Sequence, residues 1–234
     1  MSSAYKSQPL TGSLINRRFV GRGIPRTVEF ALAGVFLVLL SPLLLACSLL
    51  VTLSSKGPVL FRQRRVGRNG KIFVLFKFRT MRISEDGLLI TAATDHRITP
   101  IGKFLRKWKL DELPEIYNVF TGDMSFVGPR PEVPDFVDLS NPLWVIVLGV
   151  RPDITDPVTL SLRDEEAVLA MAEDKERYYR DVVQPYKLKG YIRYLEVKSF
   201  RRDIGMIFRT LKVILTPRRK PQVRGELADL SLLE

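Results

Sequence analysis

The chain has 234 residues, enough for one domain with its own core. Its 37 basic residues against 25 acidic ones leave a formal net charge of +12, which favours anionic partners such as nucleic acid, anionic lipid headgroups or phosphorylated substrates. A single cysteine excludes an intrachain disulfide framework, and a single histidine, His96, excludes a multi-histidine metal site.

Residues 1–24 are polar and basic, with Lys6, Arg17, Arg18 and Arg22, and form a basic segment that is flexible at its start. Phe30 to Leu53 then carries no charge. At about 1.5 Å per residue such a run can cross a bilayer core of roughly 30 Å. Two features argue against a simple span. Pro42, directly after Ser41, removes a backbone donor in mid-run and breaks the helix. Cations also crowd both flanks, with Arg17, Arg18, Arg22 and Arg26 before the run and Lys56, Arg62, Arg64, Arg65 and Arg68 after it. The positive-inside rule assigns both ends to the cytoplasmic side. The expectation over residues 25–54 is a re-entrant helix-break-helix hairpin, broken at Ser41 and Pro42, with the Ser41 hydroxyl satisfying a backbone group freed at the break. A single-span signal anchor and a lipoprotein signal at Leu44-Leu45-Ala46-Cys47 are weaker readings. A lipoprotein would need a very long leading segment, and Ser48 to Leu53 stays apolar where a polar tether is usual. Cys47 reads as a small buried apolar residue.

The block from Lys56 to Arg82 is strongly basic. Gly57-Pro58 marks a turn, and Val59 to Gln63 and Ile72 to Phe78 alternate as strands joined at Arg68-Asn69-Gly70. A basic hairpin suits a phosphate-bearing substrate or headgroup layer, or is a solvated face. Residues 83–99 form a polar loop in which His96 is solvated. Pro100 to Trp108 then leads into Lys109 to Pro131, the stretch that organises the chain. Asp111 and Glu112 stand together just before Pro114. Proline is tolerated in a first helical turn, so the two acids are expected at a helix N-terminus. Leu113, Ile116, Tyr117 and Phe120 would supply the buried stripe, and Gly122 would end the helix. A second tight turn at Gly128-Pro129-Arg130-Pro131 holds an arginine between prolines. By pattern alone this is a capping acid, a short core helix and a rigid turn. Asp164 to Leu169 begins a further helix with acids at its dipole-favoured end. From Tyr186 to Leu215 apolar residues recur at helical spacing with lysines and arginines between them, a mixture of core-facing and interfacial helix. Residues 216–234 read as a frayed tail, and 55–215 as the catalytic domain.

Several segments carry a resemblance. They are Leu110-Asp111-Glu112-Leu113-Pro114, Asn118-Val119, Gly122-Asp123-Met124-Ser125 and Val127-Gly128-Pro129-Arg130-Pro131. Upstream lie Gln63-Arg64-Arg65-Val66-Gly67 and Lys77-Phe78-Arg79-Thr80-Met81. Over residues 25–215 the chain resembles the bacterial sugar transferases, the monotopic polyprenyl-phosphate phosphoglycosyl transferases. The resemblance implies an α+β, membrane-associated fold. It would comprise the re-entrant hairpin, a small β-hairpin and a mainly helical catalytic domain with interfacial amphipathic helices. It implies transfer of a phospho-sugar from a UDP-sugar to polyprenyl (undecaprenyl) phosphate, an early membrane step in glycoconjugate assembly. Asp111 would be the nucleophile that forms a covalent phospho-sugar intermediate. Glu112 would assist through the metal or as a base. Asp111 and Glu112 would hold Mg²⁺. Arg106, Arg130, Lys77 and Arg79, with Pro129 and Pro131 clamping Arg130, would bind the donor phosphates. The expected partners are the donor, the lipid acceptor and membrane lipid, with no nucleic acid and a homodimer left open. The expected location is the cytoplasmic face of the bacterial inner membrane, in a minimal form without further N-terminal spans. The chain departs from the family pattern at Lys109, where serine is usual, and at Asp153 and Asp156, where glycines are usual. Those departures leave the sugar open. The chain has no Asp-x-Asp and no Gly-x-Gly-x-x-Gly, which weakens a doubly wound nucleotide-sugar fold. The alternative on charge alone is a membrane-anchored basic adaptor for anionic lipid or nucleic acid.

Overall fold

The computed structural model describes residues 20–82, 95–162 and 165–216. The start of the basic N-terminal segment, most of the 83–99 loop, Asp164 and the tail beyond Thr216 lie outside the described residues.

Helices α1 (Arg26–Leu39) and α2 (Ser41–Ser54) meet at Leu40 and are bent by 60°. Among the described residues no single helix is long and apolar enough to cross a membrane, whereas this bent pair taken together has the length and composition of a span. The break has a local cause. Pro42 has no N–H to give the Val38 carbonyl, and the Ser41 hydroxyl donates to that carbonyl at 2.7 Å instead. Val38, Leu39, Leu45, Leu49 and Leu53 are exposed, while Ala33, Cys47 and Val51 are buried against the rest of the chain.

The start of α1 is fastened to the centre of the molecule. The Arg26 guanidinium donates to the carbonyls of Val119 and Phe120 at 2.6 and 2.8 Å. These belong to the last turn of α4 (Glu115–Thr121), where carbonyls run short of intrahelical partners, although Val119 also accepts from the Gly122 N–H at 3.2 Å. Phe30 stacks on Phe120 with centroids 4.7 Å apart, and Phe36 meets Phe126 edge-on at 5.9 Å. Arg26→Ala removes both charge-assisted bonds, while Val119 keeps the Gly122 N–H, and is expected to lower stability by about 1.5–3 kcal/mol, the range for such bonds. A thermal melt unchanged by the substitution would contradict this.

Strands β1 (Leu60–Val66) and β2 (Ile72–Phe78) form an antiparallel hairpin with Leu60 opposite Phe78 and Val66 opposite Ile72. β1 runs past Gln63, the expected end. The turn between them puts Asn69 and Gly70 at φ 58° and 74°, the left-handed geometry that an Asn-Gly pair supplies. A second sheet was not anticipated. β3 (Ser125–Val127) pairs in parallel with β4 (Asp153–Thr155). Strands of three residues are too short to show alternation. Beyond β3 the chain bends at Gly128, and the Pro129 carbonyl accepts from the Asp153 N–H at 3.1 Å.

Helix α3 (Pro100–Lys107) is capped by Thr99, whose hydroxyl accepts from Gly102 N–H at 2.9 Å. Gly102 is required there, because a Cβ would lie 2.0 Å from the Thr80 carbonyl oxygen. The link from α3 to α4 corrects the expectation for the two acids. Lys109 adopts a left-handed conformation (φ 55°), and a 3₁₀ turn at Leu110–Glu112 follows. Pro114 has no N–H for the Leu110 carbonyl, which instead accepts from Leu113 N–H, and α4 begins only at Glu115. Asp111 and Glu112 therefore occupy a separate turn ahead of the helix. The buried stripe is also rotated. Tyr117 is 48% exposed and packs edge-on to Phe76, whereas Asn118 and Val119 are fully buried. The reason is Asn118. Its amide donates to the Val74 carbonyl at 2.7 Å and accepts from Phe76 N–H at 3.1 Å, so α4 docks along the free edge of β2.

The remaining elements are α5 (Pro142–Val147), α6 (Pro157–Ser161), α7 (Glu165–Ala170), α8 (Lys175–Tyr178), α9 (Gln184–Val197) and α10 (Phe200–Leu215). A π-helical turn at Tyr179–Val183 joins α8 to α9. Pro185 lies just beyond it and cannot donate to the Asp181 carbonyl, a sufficient reason for the helix to widen there. The long helical pattern expected from Tyr186 to Leu215 is two helices, broken at Lys198 and Ser199. α9 is core, with Leu188, Tyr191, Tyr194 and Leu195 buried. α10 lies over the parallel pair, with the Thr155 and Thr210 hydroxyls 2.7 Å apart, and exposes Phe208, Leu211 and Leu215. The fold is thus α+β and mainly helical.

Candidate active site

The fold gathers acids and bases at the turn between α3 and α4. Glu112 is the anchor. Its Oε1 accepts a very short bond from Arg130 and lies 3.3 Å from Lys77 and 3.5 Å from Lys109. Burial alone would raise the Glu112 carboxyl, but the charges of Arg130, Lys109 and Lys77 outweigh it and hold the group well below its ordinary 4.5. Lys77 reaches on to Glu115, 3.2 Å away and only 1% exposed. Arg130 is held in its cationic form against burial by Glu112 and Glu115, and its other arm donates to the Ile154 carbonyl at 3.4 Å.

Asp111 is treated oppositely. It is 8% exposed, and its Oδ1 is buried with no hydrogen-bond partner. Burial, and then the Glu112 charge, raise its pKa above 3.8, against the pull of Lys77, Lys109 and Arg106. The adjacent acids are driven apart, one a firmly ionised anchor and the other a more basic carboxylate with an unused lone pair.

The other residues expected at the site fall nearby. Arg106 donates to the Thr80 hydroxyl at 2.9 Å and pairs with Glu166 at 2.8 Å. Arg79 is buried and gives its guanidinium to the carbonyls of Ser55 and Pro58, tying the end of α2 to β2. The Pro131 carbonyl accepts from Arg65 at 3.0 Å. Ser41 and Pro42 stand at the bend, and neighbouring Leu40 reaches the same cavity as the acids.

That cavity has a volume of about 1520 Å³. One wall is cationic, with Lys77, Arg106, Lys109 and Arg130 around Asp111 and Glu112. A second is apolar, with Phe36 and Leu40 from the bent pair, Phe126, and Ile207, Leu211 and Ile214 from α10. A third is polar and mixed in sign, with Gln63, Arg65, Glu132, Glu165, Tyr179 and Lys187. Among the described residues no three acids, histidines or cysteines group to hold a metal unaided. The partnerless Asp111 oxygen is nevertheless a hard donor. It fits an ion such as Mg²⁺, which binds through one or two carboxylates together with substrate phosphates.

Asp153 and Asp156 lie away from the cavity wall. Asp156 caps α6, accepting from Val158 and Thr159 N–H at 2.7 and 2.9 Å. Asp153 is fully buried, and neither carboxyl oxygen has a partner. Burial, then the Asp156 charge, raise its pKa well above 3.8. The folded chain therefore keeps a proton there that the unfolded chain releases near pH 4. The stability this group contributes is present below about pH 4 and declines as the pH rises towards the folded-state value. Asp153→Asn should melt higher than the wild type at neutral pH and flatten the pH dependence. A lower melt with an unaltered slope would refute this.

Sequence reasoning missed Glu115, Glu132, Tyr179 and Lys187. An acid in the turn that follows an Asp-Glu pair was a usable signal for Glu115. The other residues are brought in by long-range packing.

A family model described as bacterial sugar transferase matches residues 20–217. Curated relatives match as well. The UDP-glucose:undecaprenyl-phosphate glucose-1-phosphate transferase of Escherichia coli (strain K12) is 49% identical over 114 residues, 48% of this chain and 25% of that protein. The UDP-N-acetylgalactosamine-undecaprenyl-phosphate N-acetylgalactosaminephosphotransferase of Aeromonas hydrophila is 34% identical over 198 residues, 82% of this chain and 44% of that protein. The exopolysaccharide production protein ExoY of Rhizobium meliloti (strain 1021) is 33% identical over 218 residues, 86% of this chain and 89% of that protein. The chain thus spans less than half the length of the first two relatives.

Proposed function

The chain belongs to the bacterial sugar transferase family, and from that premise we propose that it moves a phospho-sugar from a UDP-sugar to polyprenyl phosphate, releasing UMP. One observation carries the reading: a buried carboxylate oxygen without a partner, on Asp111, beside an acid clamped by three cations. Asp111 Oδ1 attacks the phosphorus that bears the sugar. The bond from that phosphorus to the bridging oxygen breaks, and UMP leaves with the electron pair. The sugar phosphate is then an acyl phosphate on Asp111. A phosphate oxygen of the lipid attacks the same phosphorus, and the Asp111 carboxylate departs unchanged.

Glu112 is too strongly held by cations to compete as nucleophile, and it orients Arg130 and Lys77. Those cations, with Arg106, bind the phosphate oxygens and neutralise the charge that builds on them. Mg²⁺ held by Asp111 and Glu112, when bound, would add neutralisation of the diphosphate. The apolar wall beside the acids suits an isoprenoid tail. A nucleic-acid or lipid adaptor has no use for a deeply buried, unpaired carboxylate.

The bent pair α1–α2 enters the cytoplasmic leaflet of the inner membrane and returns, keeping both basic flanks on the cytoplasmic side. A reporter fused at the N-terminus is expected to be cytoplasmic, as is one fused after α2. Pro42→Ala with Ser41→Ala should straighten the pair and move one reporter across. A periplasmic N-terminal reporter in the wild type would overturn this topology.

The activity test uses detergent-purified protein, undecaprenyl phosphate, Mg²⁺ and a panel of UDP-sugars that includes glucose and N-acetylgalactosamine. UMP release that requires the lipid is expected. No release from any donor would overturn the reading.

A further inference from the structure

The mixed wall of the cavity has no part in the chemistry above. Its centre is a connected set of side chains from distant parts of the chain. Tyr179 donates a very short bond to Glu132 Oε2, and its oxygen accepts from Lys187 Nζ at 3.1 Å. Lys187 also lies 3.3 Å from Glu165 and 5.1 Å from the Tyr179 ring centroid. Arg65 lies 3.4 Å from Glu132 and donates to Gln63 at 2.7 Å. Tyr179 and Lys187 are buried, yet both line the cavity.

Three features set this wall apart from packing. Its charges balance, since Arg65 and Lys187 face Glu132 and Glu165, so it does not select a phosphate as the cationic wall does. It retains hydrogen-bonding capacity. A carboxylate offers about four acceptor positions, and Glu132 uses three of them, for Arg65, Val133 N–H and Tyr179, so it can take one more donor. Lys187 divides its three N–H groups between the two Glu165 oxygens and Tyr179, and a ring hydroxyl can take the place of one long Glu165 contact. Finally, Tyr179 enters the cavity from the π-helical turn, a distortion that recurs at functional sites.

Position supplies the rest. Glu132 is two residues beyond Arg130, and two residues reach at most about 7 Å. A ring joined directly to a phosphate on Arg130 therefore lies within reach of Glu132 and Tyr179. We infer that Glu132, Tyr179 and Lys187 form a subsite that reads the hydroxyl-bearing ring of the donor. This rests on the phospho-sugar transfer proposed above. Two rings of a UDP-sugar share that chemistry, the transferred sugar and the ribose, and the measurement separates them.

The test compares Tyr179→Phe and Glu132→Gln with the wild type. Tyr179→Phe removes one oxygen and keeps the ring against Phe136, 5.0 Å away. Donor KM and kcat are measured for each UDP-sugar, with the inhibition constant of UMP and the melting temperature beside them. A sugar reader shows a rise in donor KM of roughly five- to twentyfold that differs between sugars, with kcat changed less and UMP inhibition unaltered. A ribose reader shows an equal rise for every sugar and a matching weakening of UMP. An unchanged KM, ranking and UMP constant in a folded variant overturns the subsite alone. A fall in kcat that only tracks a lower melting temperature also overturns it, since that is a structural effect. If the wild type releases no UMP from any donor, the parent reading fails and the subsite with it.

Discussion

Asp111→Asn is expected to reduce UMP release by at least about 10⁴-fold, the scale on which loss of a nucleophile is felt, while the fold stays intact. The amide matches the carboxylate in volume, so packing in the turn between α3 and α4 is kept. What it removes is the anion that must bond to phosphorus. Stability should hold or rise. Burial and the Glu112 charge raise the Asp111 pKa in the folded chain, so the folded state binds a proton more readily than the unfolded one. Its stability contribution therefore declines as the pH rises past the unfolded value near 4, and the amide does not titrate. Two measurements check the prediction: UMP release in the presence of lipid, and intact mass after donor is added without acceptor. The wild type should gain the mass of a sugar phosphate and the variant should not. Release that persists in the variant would remove Asp111 as the nucleophile.

The second large effect is expected at Arg130. Its short bond to Glu112 is one of three cationic contacts to a single carboxylate oxygen. Arg130→Ala leaves Glu112 buried with only Lys77 and Lys109, and breaking a buried pair on one side typically costs about 3–5 kcal/mol. The same change removes the fork that grips phosphate, so turnover should fall by more than about 10²-fold. Arg130→Lys separates the two roles. It restores a charge opposite Glu112, and with it much of the melting temperature. It lacks the planar two-pronged geometry, so donor KM should stay high. An Arg130→Ala protein that melts and binds donor like the wild type would show that the Glu112 clamp serves neither purpose.

Much of this organisation is legible in the chain itself. The uncharged run with a proline at its middle announced a bent helix pair, because helix length and a missing N–H are local properties. Asn69-Gly70 announced the hairpin because its left-handed backbone angles are a local preference. The adjacent acids Asp111 and Glu112 and the proline-flanked Arg130 were identifiable as a group because they stand close in sequence. Their backbone setting was less so. Pro114 looked like a first-turn residue, and only the packing of Lys109 and Asn118 shows that the acids precede the helix in a turn of their own. Asp153 and Asp156, alike as departures from the family pattern, divided into an orphaned buried acid and a helix cap.

The sequence by itself determined the family, the bent pair, the hairpin and the residues that cluster around Glu112 in the candidate site. Each depends on residues a few positions apart, where spacing and propensity act directly. Only the tertiary structure decided which acid is anchored and which is free. Lys77 meets Glu112 across 35 residues and Arg130 meets it across 18, and Tyr179 reaches Glu132 across 47. Contacts at such separations are set by how helices and strands pack, and the electrostatics of a buried carboxylate follow from whichever charges that packing brings within a few ångströms.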